Sequence, residues 1–510
     1  MSEEQSYRQG VCGALAVILF SCNSTTAPPA FEQHEPHATA THEAASAAPI
    51  GDPDAMDEPA VVAALKGLGD SKPAAALALR AARLAHHRGD DAEARAYLAR
   101  AASAEDEPAV HAQVAQLATE LAAPPVDPAT IAVLLPLTGR FASVGAELRA
   151  AIELAPPDGA KWLFLDTRGE PDGATAAIET ALARGAVAVL GPAGTREAIA
   201  AARAAALHGL PIALLAPDDG ADPDAGVFRL VDSPGDEGRA VARLAANESF
   251  PTVAVLAPRD DVGAEAAAAF VAEAKRRGLT VTAAGAYDPT GGDLEPDIKD
   301  FLELVPARNP RLAEHLARDP KHGWQTFSPD IAFSLLYIPD RADRAALVAA
   351  FLPYFNVEVR TSDFPDPTAL ARKHGGRMPQ IVQVVGGAGW RSATLPLRGG
   401  PAVQGALIVD DFAGDLGGDE AAAFGAAFQR STGHAPSDVA AEAYDAAALV
   451  ALARAAAAGA TDPRAAVRAA LAHARLPDGA CGPAALGPDG EIVRTPIVLQ
   501  VQGDELVAAP

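Results

Sequence analysis

Short apolar runs that stop at Gly, Pro, Asp or Thr, parted by Ala-rich amphipathic stretches, repeat through residues 131–261. Ile131–Leu135 ends at Pro136, Thr138 and Gly139, and Phe141–Leu154 follows with helical periodicity. Trp162–Asp166 leads into Thr167, Arg168 and Gly169, and Val187–Leu190 into Gly191-Pro192-Ala193-Gly194-Thr195. Ile212–Leu215 leads into Ala216-Pro217-Asp218-Asp219-Gly220, and Val253–Ala257 into Arg259-Asp260-Asp261. Apolar runs of this length read as buried strands, and their alternation with helices predicts an α/β fold of parallel sheets flanked by helices. Strand carboxyl ends line the ligand crevice of such sheets, so these loops are the expected site.

Local punctuation refines the pattern. Thr195 closes a loop before Arg196-Glu197 and fits a helix N-cap, with Gly209 ending that helix. Ser233-Pro234-Gly235-Asp236 supplies a cap, a proline at the first helical position and an acidic third position. A helix over Gly263–Arg277, a strand over Leu279–Tyr287 and an irregular insert over Asp288–Ser328 come next. Strands are expected at Ile331–Ile338, Phe355–Val359, Ile381–Val385 and Ala406–Val409, and a long helix around Ala440–Ala457. Ile497–Val501 and Glu505–Val507, parted by Gly503-Asp504, read as a closing hairpin.

The first 127 residues follow other patterns. Val11–Phe20 is apolar but half the length of about 20 residues that a membrane span needs. It ends in Leu19-Phe20-Ser21-Cys22, which resembles a bacterial lipoprotein processing site. Residues 1–21 are then a signal peptide, and Cys22 carries the lipid that is the only expected membrane contact. Residues 22–58, rich in Ala, Pro, Thr and His without apolar period, read as a flexible tether. Residues 59–123 read as a small all-α module, whose Gly89–Ala101 run resembles part of a tetratricopeptide repeat. Ala-Pro-Pro-Val-Asp-Pro at 123–128 marks its boundary.

Composition narrows the function. At 510 residues the chain suggests three units, and 49% hydrophobic with only 5% aromatic residues implies cores of Ala, Val and Leu. A formal charge of −25 argues against nucleic acid as a partner, because phosphate is neutralised by Lys and Arg. Of three cysteines, Cys12 would leave with the signal and Cys22 would be acylated, leaving Cys481 without an intramolecular partner. No Gly-x-Ser-x-Gly, His-Glu-x-x-His or phosphate-loop motif occurs. The carboxylate pairs Asp218-Asp219 and Asp410-Asp411 are sequence neighbours that point opposite ways in extended backbone. Neither catalysis, a cofactor nor a metal is expected.

The order of Leu134-Leu135-Pro136-Leu137-Thr138-Gly139, Asp166–Asp172, Gly191-Pro192, Val227-Phe228-Arg229-Leu230 and Ala443-Tyr444-Asp445-Ala446 resembles the type 1 periplasmic binding-protein fold of the leucine/isoleucine/valine-binding family. The resemblance covers residues 128–508 and implies two α/β lobes joined by three crossings, with a small ligand held between them. Lobe 1 is expected at 128–247 and 405–475, and lobe 2 at 250–404 and 480–508. The cleft would gather Thr138, Gly139, Gly194, Thr195, Pro217, Asp218, Asp261, Gly389 and Trp390. Gly194 and Thr195 would offer free helix-start N–H groups to an anion, and Trp390 a face for stacking. The fourth-strand loop lacks the family's Ser or Thr, and Val262 stands where an aromatic is usual. An α-amino-acid ligand is therefore not carried over.

Anchor, tether, helical module and binding body together resemble the penicillin-binding protein activator lipoproteins, as do Pro339-Asp340-Arg341-Ala342 and Phe351-Leu352-Pro353-Tyr354-Phe355. That resemblance implies a non-catalytic periplasmic lipoprotein, at the outer membrane, regulating a peptidoglycan synthase. The alternative is a solute-binding lipoprotein serving the permease of an ABC transporter for an amino-acid-like or other small ligand.

Overall fold

The computed structural model describes residues 52–68, 74–88, 90–103, 108–122, 125–217, 220–361 and 366–509. The expected signal peptide, Cys22, the expected tether up to residue 51 and Asp218 lie outside the described residues. The chain divides into two compact units at residues 114 and 115.

The first unit is helical. It holds α1 (Glu58–Leu68), α2 (Ala75–His87), α3 (Asp91–Ala102) and the start of α4 (Pro108–Ala122). Ala78, Ala82 and Ala85 of α2, and Ala94, Leu98 and Ala101 of α3, are buried at helical spacing, and the two helices pack together. The Asp90 side chain caps α3 by accepting from the Glu93 N–H. Arg100 reaches the Leu65 carbonyl at 3.2 Å, tying α3 to α1. The expected helical module is thus present, and a short 3-10 turn, Pro53–Ala55, falls within the stretch expected to be tether.

The second unit contains two separate large sheets. In the first, β1 (Asp127–Leu135), β2 (Lys161–Asp166), β3 (Ala186–Leu190), β4 (Ile212–Leu214) and β5 (Val227–Arg229) run parallel in the order β2-β1-β3-β4-β5. Between them lie α5 (Ala142–Leu154), α6 (Pro171–Ala183) and α7 (Thr195–Leu207). Strand geometry sends successive residues of β1 to opposite faces. Ile131, Val133 and Leu135 join one core with Leu148 and Ile152 of α5, while Ala132 and Leu134 join another with Ile178 of α6 and Ala201 of α7. Both faces are covered, which is why the run is apolar without alternation.

The second sheet is built from β6 (Thr252–Pro258), β7 (Thr280–Tyr287), β8 (Leu335–Tyr337), β9 (Glu358–Val359), β10 (Ile381–Gly386) and β11 (Leu407–Asp410). Its main order is β16-β15-β11-β10-β8-β6-β7, where β15 (Ile497–Gln502) and β16 (Glu505–Ala508) form the expected antiparallel hairpin at the edge. Its helices are α8 (Pro234–Asn247), α9 (Asp261–Arg276), α13 (Ala342–Tyr354), α14 (Pro367–Lys373) and α15 (Thr394–Gly399). The insert expected to be irregular contains α10 (Glu295–Phe301), α11 (Pro310–Arg318) and α12 (Gly323–Thr326), and Ile298 and Leu312 bury into the core of this sheet.

Three stretches fall on other lobes than expected. Residues 234–247, expected with the first lobe, form α8, which packs on α9 and buries Val241 and Ala245 beside Val253 and Val255 of β6. Residues 405–410, also expected there, form β11, which pairs with β10 and β15 in the second sheet. The chain returns to the first core with α16 (Asp419–Thr432), α17 (Asp438–Ala456) and α18 (Pro463–Leu471). It stays there through a small antiparallel sheet of β12 (Arg475–Leu476), β13 (Ala484–Leu486) and β14 (Ile492–Arg494), whose Leu476, Ala484 and Ile492 are buried in that core. Residues 480–494 therefore pack with the first lobe. Three segments cross between the sheets: 230–233, 411–418 and 495–496.

Candidate functional site

The loops after β1, β2 and β3 form one knitted rim. Asp166, the last residue of β2, accepts from the Thr138 hydroxyl at 2.6 Å and from the N–H groups of Leu137 at 2.9 Å and Arg168 at 2.8 Å. Burial opposes its charge, but these donors, Thr138 foremost, together hold its carboxyl below the ordinary value. Thr167 donates its hydroxyl to Glu197 in the first turn of α7, joining the second loop to the third. Burial raises the Glu197 pKa, and the charges of Glu170 and Asp166 add to that, against the pull of the Thr167 bond. Two glycines permit this closeness: a Cβ would lie 2.2 Å from the Pro136 oxygen at Gly145, and 2.0 Å from the Thr167 oxygen at Gly173.

Thr138, Gly139, Gly194 and Thr195 thus come together on this first-lobe rim, and Pro217 is exposed after β4. Thr195 is not a cap: α7 begins on it, Gly194 holds the cap position, and no side chain caps the helix. On the second lobe, Asp261 is the exposed first residue of α9, whose cap is Asp260, accepting from Gly263 N at 2.8 Å. Gly389 is exposed near the Asp340–Arg341 backbone. Trp390 is a core residue, not a stacking face: it is 0% exposed and its Nε1–H donates to the Ile338 carbonyl at 3.0 Å.

A second constellation, absent from the expected site, surrounds the crossings. Arg229 is fully buried at the end of β5, where Nη1 reaches Asp236 at 2.8 Å and Nη2 reaches Glu491 at 2.6 Å. Arg494, at the end of β14, pairs with Asp445 of α17 at 2.9 Å and with Asp232 of the first crossing at 2.8 Å. The Ala480 and Cys481 N–H groups also donate to Asp445, at 2.7 and 2.9 Å. Glu442 accepts from the Asp232 N–H at 3.0 Å, and its carboxyl is pushed up to about 8, first by burial and then by the Asp232 charge. Burial likewise lifts Asp411 of the second crossing well above the carboxylate range, with Asp232 adding to it. A cavity of about 300 Å³ opens beside this network, lined by Asp232, Asp236, Glu237, Arg243, Asp411 and Arg494. Arg391, after β10, pairs with Asp410 of the same sheet at 2.6 Å and, across the lobes, with Asp438 at the start of α17.

A sequence signal for these residues exists. Arg229, Asp445 and Arg494 are single charges inside otherwise apolar runs, where a charge must find a buried partner. Such a signal names the residue and not its mate. The arrangement is a bonded rim of strand-end loops on the first lobe and a charged connection between the lobes. Cys481, the free thiol among the described residues, is buried, and burial pushes its pKa well above the usual value.

A family model described as periplasmic binding protein matches residues 128–303 and 368–505, more than half of the chain. No curated protein matches it. Among solved structures, a provisionally assigned branched-chain amino acid ABC transporter protein from Rhodospirillum rubrum is 22% identical, with 74% of this chain and 99% of that one covered at a TM-score of 0.57. An ABC transporter substrate-binding protein from Sphaerobacter thermophilus is 16% identical, with 76% and 97% covered at a TM-score of 0.53. The chain belongs to the periplasmic binding protein family, with the type 1 fold of its leucine-binding members.

Proposed function

From that membership, we propose that the chain is the solute-binding protein of an ABC transporter, capturing a small molecule between its lobes and presenting it to a membrane permease. The family match over both lobes is the observation that carries this reading. The knitted first-lobe rim and the three crossings support it, because capture needs a preformed half-site and a connection that lets the other half close on it. In this reading Thr138, Gly139, Gly194, Thr195, Pro217, Asp261 and Gly389 border the cleft, and the protein binds without catalysis. Export to the periplasm with lipid attachment at Cys22 completes the proposal. No described helix is long and apolar enough to cross a membrane.

A second reading, regulation of a peptidoglycan synthase, draws on the helical module of α1–α4, which solute capture does not require. Native mass spectrometry of the purified chain separates the two. Capture predicts a co-purifying small molecule, or stabilisation of about 2.7 kcal/mol by a ligand at 100 times its Kd. A ligand-free chain that retains a purified peptidoglycan synthase would replace the first reading by the second.

A further inference from the structure

We propose that the ligand is a small organic anion with two or more negative charges, cradled on the first lobe by Arg140, Arg168 and Arg196. The inference rests on the solute-capture reading and names its substrate class.

Arg140 and Arg168 stand on the loops after β1 and β2, and Arg196 is the second residue of α7, which follows β3. The bonds described above hold those loops together: Thr138 and the Arg168 N–H share Asp166, while Thr167 and Glu197, the neighbours of Arg168 and Arg196, bond to each other. The Arg140 guanidinium lies 4.4 Å from the Phe141 ring centre, and that ring sits against Gly169, bringing Arg140 beside the Arg168 loop. All three arginines are exposed, and among the described residues no carboxylate lies within ion-pair reach of any of them. Arg229, Arg391 and Arg494 at the crossings are all paired with carboxylates. In a chain of net charge −25, this rim sets three guanidinium groups without a carboxylate partner beside Asp166, Glu170 and Glu197.

The same rim disfavours a zwitterionic amino acid. The Asp166 carboxylate already accepts four donors, two of them from Thr138, and Glu197 is buried under Thr167. Among the described carboxylates of these three loops the exposed Glu170 is left to meet an ammonium group, with Asp172 in the first turn of α6 and Asp261 on the other lobe. Guanidinium groups bind carboxylates and phosphates bidentately, and more than one is needed to replace the hydration of a polyanion. The Thr195 hydroxyl, without a partner among the described residues, adds a neutral donor at the start of α7. Phe141, 39% exposed, adds an apolar wall. On the second lobe, the exposed Arg341 after β8 has an unpaired side chain.

Isothermal titration of the full mature chain, freed of carried-over ligand by unfolding and refolding, tests this. The panel is citrate, phthalate, succinate and inorganic phosphate against leucine, glycine betaine and putrescine, at low and high salt. An anion should bind, weaken as salt rises, and bind at least about ten-fold more weakly to an R140Q/R168Q/R196Q variant. The exposed Arg203→Gln, on the flank of α7, should leave binding unchanged. Binding of a neutral or cationic member alone, or equal anion binding by the triple variant, would overturn the anionic class and leave solute capture standing. No binding by any member would count against both.

Discussion

Arg494 and Arg168 are the same residue type in opposite situations. Arg494 is buried at a crossing, where two carboxylates and the Leu230 carbonyl surround it. Arg168 is exposed on a strand-end loop with no carboxylate in reach among the described residues. A buried charge must be matched within the fold, so its partners are part of the structure. An exposed one keeps its water and stays available to a ligand. The difference teaches where this molecule holds itself together and where it has capacity left for something else.

Breaking the buried side should cost most. Arg494→Met leaves Asp232 and Asp445 without their cation, and chemical denaturation should show a loss on the order of 3–5 kcal/mol. A change below about 1 kcal/mol would mean the network is a solvated bystander.

Titration sharpens the comparison next. Glu442 has its folded-state carboxyl raised by burial to about 8, above the ordinary carboxylate value. The folded chain therefore holds a proton that the unfolded chain releases, and stability falls as pH rises from about 5 to 8. Asp232, Asp411 and Asp445 are shifted the same way, burial being the first cause for each, while Arg494 pulls against them. Glu442→Gln keeps an acceptor for the Asp232 N–H and removes its titration, so the fall between pH 5 and 8 should become shallower. Parallel melting curves of both proteins across that range check this, and an unchanged slope would remove Glu442 from the network.

The exposed side should give the smallest effect on stability. Arg168→Gln should change unfolding free energy by less than about 0.5 kcal/mol. A larger loss would show that Arg168 is a structural residue, and the contrast with Arg494 would collapse.

Much of the fold was legible before any coordinates. Ile131–Leu135, Trp162–Asp166 and Val187–Leu190 are strands where their apolar runs predicted them, and Ser233 closes its capping box with Asp236. The insert at 288–328 was harder, because α10, α11 and α12 are short and begin behind Pro-rich turns that resemble loop. At the site, Thr138, Gly139, Gly194 and Thr195 were legible as strand-end residues, whereas Trp390 was not. A tryptophan after Gly-Gly-Ala-Gly looks the same in sequence whether its ring faces a cleft or fills the core, and only the packing under Gly386 and the bond to Ile338 decide.

The sequence by itself determined most strands of the two large sheets, the longer helices, the Ser233 cap and the α/β class, since each depends on the burial period of a few neighbouring residues. Tertiary structure alone decided that α8 and β11 join the second sheet, that β12–β14 join the first core, and that Arg494 meets Asp232 and Asp445. Arg494 and Asp232 are far apart along the chain, and even for the nearer α8 and β11 a local pattern shows that a face needs covering without saying which sheet it covers.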